Sequence, residues 1–180
     1  MIISISGQAG SGKSSVAKVL AKRLGIRHYS IGDLRRKMAW ERGMTLQEFN
    51  RLGEKKNFTD KEFDEFQKKL GRTEDNFVID GRLSFFFIPH SVKIYLDGEL
   101  RERARRVFKD ERQTEKFRSL KEVEKALEER ERSDSKRYKK YYNVDCLNKK
   151  QYDLMIDTTK INVEGVVKKI LDFLKKKGFL

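Results

Sequence analysis

The chain has 180 residues, of which 42 are Lys or Arg and 28 are Asp or Glu, so its formal net charge at pH 7 is +14. The single cysteine excludes an internal disulfide, and one cysteine with two histidines argues against a zinc site. No long apolar run is present, so we expect a cytoplasmic protein with neither a membrane span nor a signal peptide. The length suffices for one domain with a hydrophobic core, and the charge suits a polyanionic partner, either a nucleic acid or a small phosphorylated ligand.

The first predicted element is a buried strand that leads into a phosphate-binding loop. Residues 1–6 are apolar and β-branched, and residues 15–24 carry apolar side chains at helical spacing. Between them, residues 7–14 (GQAGSGKS) fit the P-loop pattern G-x-x-x-x-G-K-[ST], and a chance glycine-rich turn would lack this strand–loop–helix context. Lys13 is predicted to bind the β- and γ-phosphates of ATP, and Ser14 to bind Mg²⁺. The predicted ATP-binding residues are Gly7, Gln8, Ala9, Gly10, Ser11, Gly12, Lys13, Ser14 and Ser15.

Three helices are predicted after a short second strand at residues 27–30. The first covers residues 34–42, the second begins after Gly43, and the third covers residues 59–71 with a glycine at its end. Residues 34–71 are therefore predicted to form a helical insertion between two strands.

The third strand is predicted at residues 76–81. Because ligands of parallel sheets lie beyond the carboxyl ends of the strands, Asp80 is a candidate carboxylate for the metal, the alternative being a turn aspartate before Gly81. The aromatic run at residues 85–87 contains no basic residue, which favours core or substrate-pocket wall over a stacking platform for nucleic-acid bases. A fourth strand is predicted at residues 91–97.

The second half of the chain is dense in charge. An arginine-rich helix begins at Glu99, residues 113–118 are predicted to be a loop, and a long charged helix covers residues 119–142. Pairs of opposite charge at helical spacing explain many of these residues as solvated surface, and we expect this for Arg101 and Arg103.

A fifth strand at residues 152–158 and an amphipathic helix from Asn162 complete the pattern. Strands that alternate with helices predict an α/β protein with a five-stranded parallel sheet flanked by helices, here the P-loop NTPase fold. The expected division is a core at residues 1–33, 72–104 and 119–180, the helical insertion at residues 34–71, and a short segment at residues 105–118.

Four further segments carry a resemblance to a known family. They are residues 30–36 (SIGDLRR), 80–84 (DGRLS), 129–138 (ERERSDSKRY) and 156–161 (IDTTKI). Together with the P-loop they are similar to the motifs of the nucleoside monophosphate kinases, and most closely of the archaeal-type cytidylate kinases, over nearly the whole chain. One departure is Phe85-Phe86, where members of that family often have Gly-Trp, and it bears on the shape of the base pocket.

The resemblance implies roles for particular side chains. Arg36 matches the arginine that binds the acceptor phosphate, and Arg82 matches the cytidylate kinase arginine that follows Asp-Gly directly, whereas adenylate kinases place theirs further on. Arg130 and Arg137 match two phosphate-binding arginines, and Asp134 matches the aspartate that contacts the acceptor sugar. The monophosphate-binding residues expected are Ser30, Arg36, Asp64, Gln67, Arg82, Arg130, Asp134 and Arg137.

The implied reaction transfers the γ-phosphoryl group of ATP to CMP or dCMP, with Mg²⁺, and yields CDP or dCDP and ADP. The acceptor oxygen is ionised at neutral pH, so catalysis needs positioning and charge neutralisation rather than a general base. The expected catalytic residues are Lys13, Arg82, Arg130 and Arg137, and the expected metal ligands are Ser14 and Asp80.

Base selection is the least determined feature of the sequence. Asp64 and Gln67 lie one helical turn apart, and a carboxylate with an amide would suit cytosine, although plain helix surface explains them equally well. The resemblance implies that residues 34–71 are the monophosphate-binding insertion and residues 105–118 a small lid, and this lid offers Arg105, Arg106, Lys109 and Arg112 without a choice among them.

Three other functions compete with a cytidylate kinase. They are a UMP or AMP kinase of the same fold, a P-loop protein that binds or processes RNA, and a slow P-loop switch. The placement of Arg82 argues against AMP, and the chain lacks the guanine-recognition motif Asn-Lys-x-Asp. We expect a monomer with nucleotide substrates and neither a nucleic-acid nor a membrane partner.

Overall fold

The computed structural model describes residues 1–55, 58–110 and 117–180. Within these ranges the strands are β1 (Ile2–Gly7), β2 (Arg27–Ser30), β3 (Phe77–Asp80), β4 (Val92–Asp97) and β5 (Leu154–Asp157). The α-helices are α1 (Lys13–Leu24), α2 (Ile31–Glu41), α3 (Leu46–Lys55), α4 (Phe58–Thr73), α5 (Ser84–Phe87), α6 (Leu100–Phe108), α7 (Leu120–Tyr142) and α8 (Val163–Lys176). A 3₁₀ turn covers Lys149–Gln151. Arg112 and most of the loop predicted at residues 113–118 lie outside the described residues.

The five strands form one parallel sheet in the order β2-β3-β1-β4-β5, which confirms the predicted α/β fold. The central strand β1 lies between β3 and β4, and Ile5 of β1 is in register with Asp80 at the end of β3. This register brings the loop after β1 and the carboxylate of Asp80 to the same edge of the sheet, where ligands of such sheets bind.

Both faces of the sheet are covered by helices, as a parallel sheet requires. Ile3 and Ile5 of β1 pack with Leu20 of α1 and Ile170 of α8 on one face. Ile2 points to the other face and joins a cluster that includes residues of α2, α3 and α4. Each fully buried side chain of this size contributes about 1.5–3 kcal/mol relative to exposure.

Two predicted helix ends are wrong. Helix α2 begins at Ile31 rather than at residue 34, because the Ser30 hydroxyl accepts a hydrogen bond from the backbone N–H of Asp33 and caps the helix. Helix α4 continues through Gly71 to Thr73. A Cβ atom on Gly71 would lie 3.0 Å from Cγ2 of Ile88, so this glycine allows close packing and does not end the helix.

The aromatic run after β3 forms α5 and belongs to a small hydrophobic cluster. Phe85 is buried with Leu83, Tyr138 and Cys146. Phe86, in contrast, is 41% exposed. The run therefore serves mainly as core. In the described part of the chain, no helix has the length and apolarity needed to cross a membrane.

Candidate active site

A cleft of about 1180 Å³ opens at the carboxyl edge of the sheet, between the loop after β1, helices α2 and α3, and helix α7. It brings together thirteen of the predicted site residues. They are Ala9, Gly10, Ser11, Gly12, Lys13, Ser14, Ser15, Arg36, Asp80, Arg82, Arg130, Asp134 and Arg137. Gly7, Gln8, Ser30, Asp64 and Gln67 do not line it.

The glycines of the P-loop are required by its backbone. Gly7, Gly10 and Gly12 have φ values of 142°, 78° and 87°, which other residues rarely adopt. A larger residue at position 7 would also clash with the neighbouring strand, since a Cβ on Gly7 would lie 2.1 Å from the carbonyl oxygen of Leu96. Ser11 Oγ is buried and has no hydrogen-bond partner among the described residues, which leaves its hydroxyl for a ligand in the loop.

Lys13 lies at the start of α1, and its Nζ donates to the carbonyl oxygen of Gln8 at 2.6 Å. Burial, followed by repulsion from the nearby Arg82, lowers the pKa of Lys13 from 10.5 to about 7. An anionic phosphate beside the ammonium group would counter both effects, because it stabilises the charged form.

Asp80 is buried and is contacted from three directions. Its Oδ2 accepts from Ser14 Oγ at 2.8 Å and from Ser30 Oγ at 3.2 Å, while its Oδ1 lies 2.7 Å from His28 Nε2. The hydroxyl of Ser14 and the carboxylate of Asp80 are hard oxygen donors, the chemistry that Mg²⁺ prefers. Among the described residues no group of three or more His, Cys, Asp or Glu side chains could hold a metal, so these two would need phosphate or water oxygens to complete a site.

A cluster of arginines around Asp134 forms the opposite side of the cleft. Asp134 of α7 accepts from Arg82 Nε at 2.9 Å and from Arg137 Nη2 at 2.7 Å. Burial alone would raise the pKa of this carboxyl, but Arg82, Arg137 and Arg130 lower it to about 2. Asp134 is therefore ionised throughout the neutral range and holds two guanidinium groups in place.

Arg82 and Arg130 keep N–H donors for a ligand. Arg82 Nη2 and Arg130 Nε are buried, and neither has a hydrogen-bond partner among the described residues. Burial and repulsion from Arg82 lower the pKa of Arg130 to about 10, although Asp134 opposes the shift. Each buried donor left without an acceptor costs about 1–3 kcal/mol, which a bound phosphate would offset.

Arg35 was not among the predicted residues of the site, although its neighbour Arg36 was predicted to bind the acceptor phosphate. Arg36 is only partly buried and pairs with Asp33. Arg35 is 8% exposed, lines the cleft and donates to Oδ1 of Asn50 at 3.0 Å. Helical spacing could have shown that Arg35 shares one face of α2 with residues 31 and 39, but not that this face is buried or that Arg35 bonds to Asn50.

The expectation for Arg103 as a surface charge is wrong. Arg103 is 3% exposed, and it donates to the carbonyl oxygens of Gly98 at 2.8 Å and Ala9 at 3.1 Å. It also pairs with Glu131 of α7. Arg101, two residues earlier, is exposed as predicted.

One of the basic residues considered for the lid has a defined position at the cleft. Arg106 Nη2 donates to the carbonyl oxygen of Thr158 at 2.6 Å, and both residues line the cleft. Arg105 and Lys109 are exposed. Arg112 lies outside the described residues.

Asp64 and Gln67 of α4 are buried away from the cleft in this structure. Asp64 accepts from the Tyr142 hydroxyl at 2.5 Å, and Gln67 Oε1 accepts from Ser84 Oγ at 2.7 Å. Gln67 Nε2 donates to the carbonyl oxygen of Phe63 at 3.1 Å. The two side chains therefore stabilise the packing of α4 against α7 and α5.

The parallel sheet, the P-loop and the facing arginine cluster define a P-loop kinase with room for two phosphorylated ligands. Residues 2–160 match the cytidylate kinase-like family, and the chain belongs to that family. It is 43% identical over 182 residues to a cytidylate kinase of Methanocella arvoryzae, a match that covers 98% of this chain and 99% of the relative. It is 38% identical over 178 residues to a cytidylate kinase of Methanobrevibacter smithii, with 97% and 99% covered.

The fold is also found among solved structures. A shikimate kinase from Bacteroides thetaiotaomicron superposes with a TM-score of 0.66 and 13% identity, covering 97% of this chain and 98% of the other. At this identity the likeness supports the fold alone.

Proposed function

We propose that this protein is a cytidylate kinase, which transfers the γ-phosphoryl group of ATP to CMP or dCMP and releases ADP with CDP or dCDP. The observation that carries the proposal is the buried contact between Arg82, just after Asp80, and Asp134 of α7. It lies in the same cleft as the P-loop, so a second anion site faces the first. Membership of the cytidylate kinase-like family and relatives named cytidylate kinase favour this function over a UMP or AMP kinase or an RNA-binding protein.

The donor side of the cleft would bind ATP. The P-loop N–H groups and Lys13 hold the β- and γ-phosphates, and Ser14 and Asp80 hold Mg²⁺. When bound, Mg²⁺ supplies positive charge that the phosphate oxygens need during transfer. Ser14 and Asp80 already lie in hydrogen-bond contact, so the protein oxygens for this ion are adjacent.

The acceptor side would bind the monophosphate. Arg36 and Arg82 hold the acceptor phosphate, and Arg130 with Arg137 neutralises the charge that develops between donor and acceptor. Asp134 fixes the guanidinium groups of Arg82 and Arg137, and it contacts the acceptor sugar. The acceptor oxygen carries its own negative charge, so none of these side chains has to remove a proton.

The same proposal includes closure of two segments over the substrates, a cellular compartment and an oligomeric state. The segment at residues 34–71 closes over the monophosphate and the segment at residues 105–118 closes over ATP, which keeps water from the reacting phosphate. We place the enzyme in the cytoplasm as a monomer.

The proposal is tested by a coupled assay of ADP release with Mg-ATP and each ribo- and deoxyribonucleoside monophosphate. We expect CMP and dCMP to give the highest kcat/KM, well above AMP and GMP. Lys13→Ala serves as the control for contaminating kinases, because it removes the lysine of the donor site. If CMP and dCMP release no more ADP than a reaction without acceptor, the proposal is wrong.

A further inference from the structure

Asn50 of α3 is a polar residue of the cleft that the roles above do not use. It is 6% exposed and lines the cleft. Its Oδ1 accepts from Arg35 Nη2 at 3.0 Å, and its backbone carbonyl accepts from Arg137 Nη1 at 3.4 Å. These two bonds tie Asn50 to α2 on one side and to α7 on the other.

The bond to Arg35 determines which end of the Asn50 amide faces the cleft. A guanidinium group has only N–H donors, so it can accept no hydrogen bond and must pair with the amide oxygen. Arg35 is itself held between two rings, with its Cζ 5.2 Å from the ring centres of both Phe49 and Phe63. The oxygen of the Asn50 amide is therefore engaged, and its two N–H donors are what the side chain offers a ligand.

Asn50 lies at the acceptor end of the cleft. Arg137, which bonds to its carbonyl, also donates to Asp134 at 2.7 Å. Arg35 is close enough to help lower the pKa of Asp134. Asn50 and Asp134, the proposed sugar contact, therefore share Arg137 as a partner and line the same cleft, and we take the base of the bound monophosphate to lie beside Asn50.

Cytosine and uracil differ in hydrogen bonding at ring atom N3. N3 of cytosine is an acceptor, whereas N3 of uracil carries a hydrogen and is a donor. We infer that Asn50, with its amide oriented by Arg35, selects cytosine over uracil by donating to N3, where uracil would meet it donor to donor. This inference rests on the proposed function and names the residue that sets its base preference.

The test is Asn50→Asp, which keeps the shape of the side chain and replaces the donor by an acceptor. One carboxylate oxygen pairs with Arg35, and the other accepts from N3–H of uracil. We expect the ratio of kcat/KM for CMP to that for UMP to fall by at least about tenfold, because a buried donor–acceptor mismatch is costly. The KM for ATP should stay close to that of the wild type.

Asn50→Leu provides a second measurement that does not depend on a new charge. It removes the donor without adding an acceptor, so we expect the CMP rate to fall toward the UMP rate, with no gain in UMP. Asn148→Asp, on the exposed loop before the 3₁₀ turn, is the control for an added negative charge and should keep the wild-type ratio.

The proposed function and the inference about Asn50 would be contradicted by different results. A wild-type enzyme that phosphorylates no cytidine monophosphate would contradict the proposed function itself. A wild-type enzyme that phosphorylates CMP but shows the same CMP-to-UMP ratio in Asn50→Asp, or in Asn50→Leu if the first variant does not fold, would overturn the inference alone. A wild-type enzyme without preference for CMP over UMP would also overturn it.

Discussion

At the scale of single residues, Lys13 shows how the surroundings set the charge of a side chain. Burial and Arg82 lower its pKa to about 7, while its Nζ donates to the carbonyl oxygen of Gln8. Near neutral pH the neutral form of Lys13 is therefore appreciably populated. The triphosphate of ATP would favour the ammonium form, so binding should shift this pKa upward.

We expect ATP binding to take up close to one proton at about pH 8, where a Lys13 of pKa about 7 is mostly neutral before binding. The uptake should vanish at about pH 6 and below, because Lys13 is then protonated in both states. Calorimetric titration in two buffers of different ionisation enthalpy measures it. Lys13→Met should remove the uptake, and an unchanged uptake in this variant would assign the proton to another group.

At the scale of secondary-structure elements, side chains of helices α6 and α7 contact the P-loop and hold it in place. Arg103 of α6 donates to Ala9 in the loop and pairs with Glu131 of α7. Glu131 also accepts from Gln8 Nε2 at 3.4 Å. These contacts hold the P-loop against α7, the helix that carries Arg130, and we expect them to help keep the loop and this arginine in register.

Glu131→Gln keeps the shape of the side chain and removes the charge that holds Arg103. We expect kcat to fall about tenfold, which corresponds to about 1.4 kcal/mol of transition-state stabilisation, with little change in either KM. The free energy of unfolding should fall by roughly 1–3 kcal/mol, because Arg103 stays buried without its ion pair. Steady-state kinetics and thermal unfolding measure both effects.

Glu128→Gln is the matched control, since Glu128 is an exposed residue of the same helix. It should behave as the wild type in both measurements. If Glu131→Gln lowers the stability but leaves kcat unchanged, the Arg103–Glu131 contact serves the fold only.

At the scale of the whole molecule, the cleft joins the two proposed anion sites at one edge of the sheet. The P-loop follows the central strand β1, and the arginine cluster comes from the end of β3 and from α7. The cleft volume of about 1180 Å³ is above the usual range for one small ligand, about 300–1,000 Å³. This volume is consistent with the proposal that two nucleotides bind together.

We expect a compound that joins adenosine and cytidine through five phosphates to inhibit competitively against both ATP and CMP. Linking the two ligands should raise the affinity about 10²–10⁴-fold over ATP alone, because the second binding step becomes intramolecular. Initial-rate inhibition patterns test this. Competition with ATP but not with CMP would place the acceptor outside this cleft. The corresponding diadenosine compound is the control and should bind more weakly.

Much of the fold and of the donor site was predictable, because its signals are local. The P-loop is eight consecutive residues with a strand before it and a helix after it, and strand–helix alternation indicates a parallel sheet. The candidate arginines of the acceptor side were found in another way, because the segments that hold Arg82, Arg130 and Arg137 resemble motifs of a known kinase family.

The sequence by itself determined the class of fold and the phosphate-binding loop, whereas the arginines facing the loop were expected from the resemblance to a known family. Only the tertiary structure decided which polar side chains are buried and toward what. It buried Arg35 and Arg103, and it turned Asp64 and Gln67 away from the cleft. The physical reason is that most hydrogen-bond partners named above for these four residues lie 15 to 94 positions away along the chain, although Gln67 also bonds to Phe63 and Arg103 to Gly98 within the same stretch of chain. Such contacts depend on how the helices pack, which no local pattern of residues specifies.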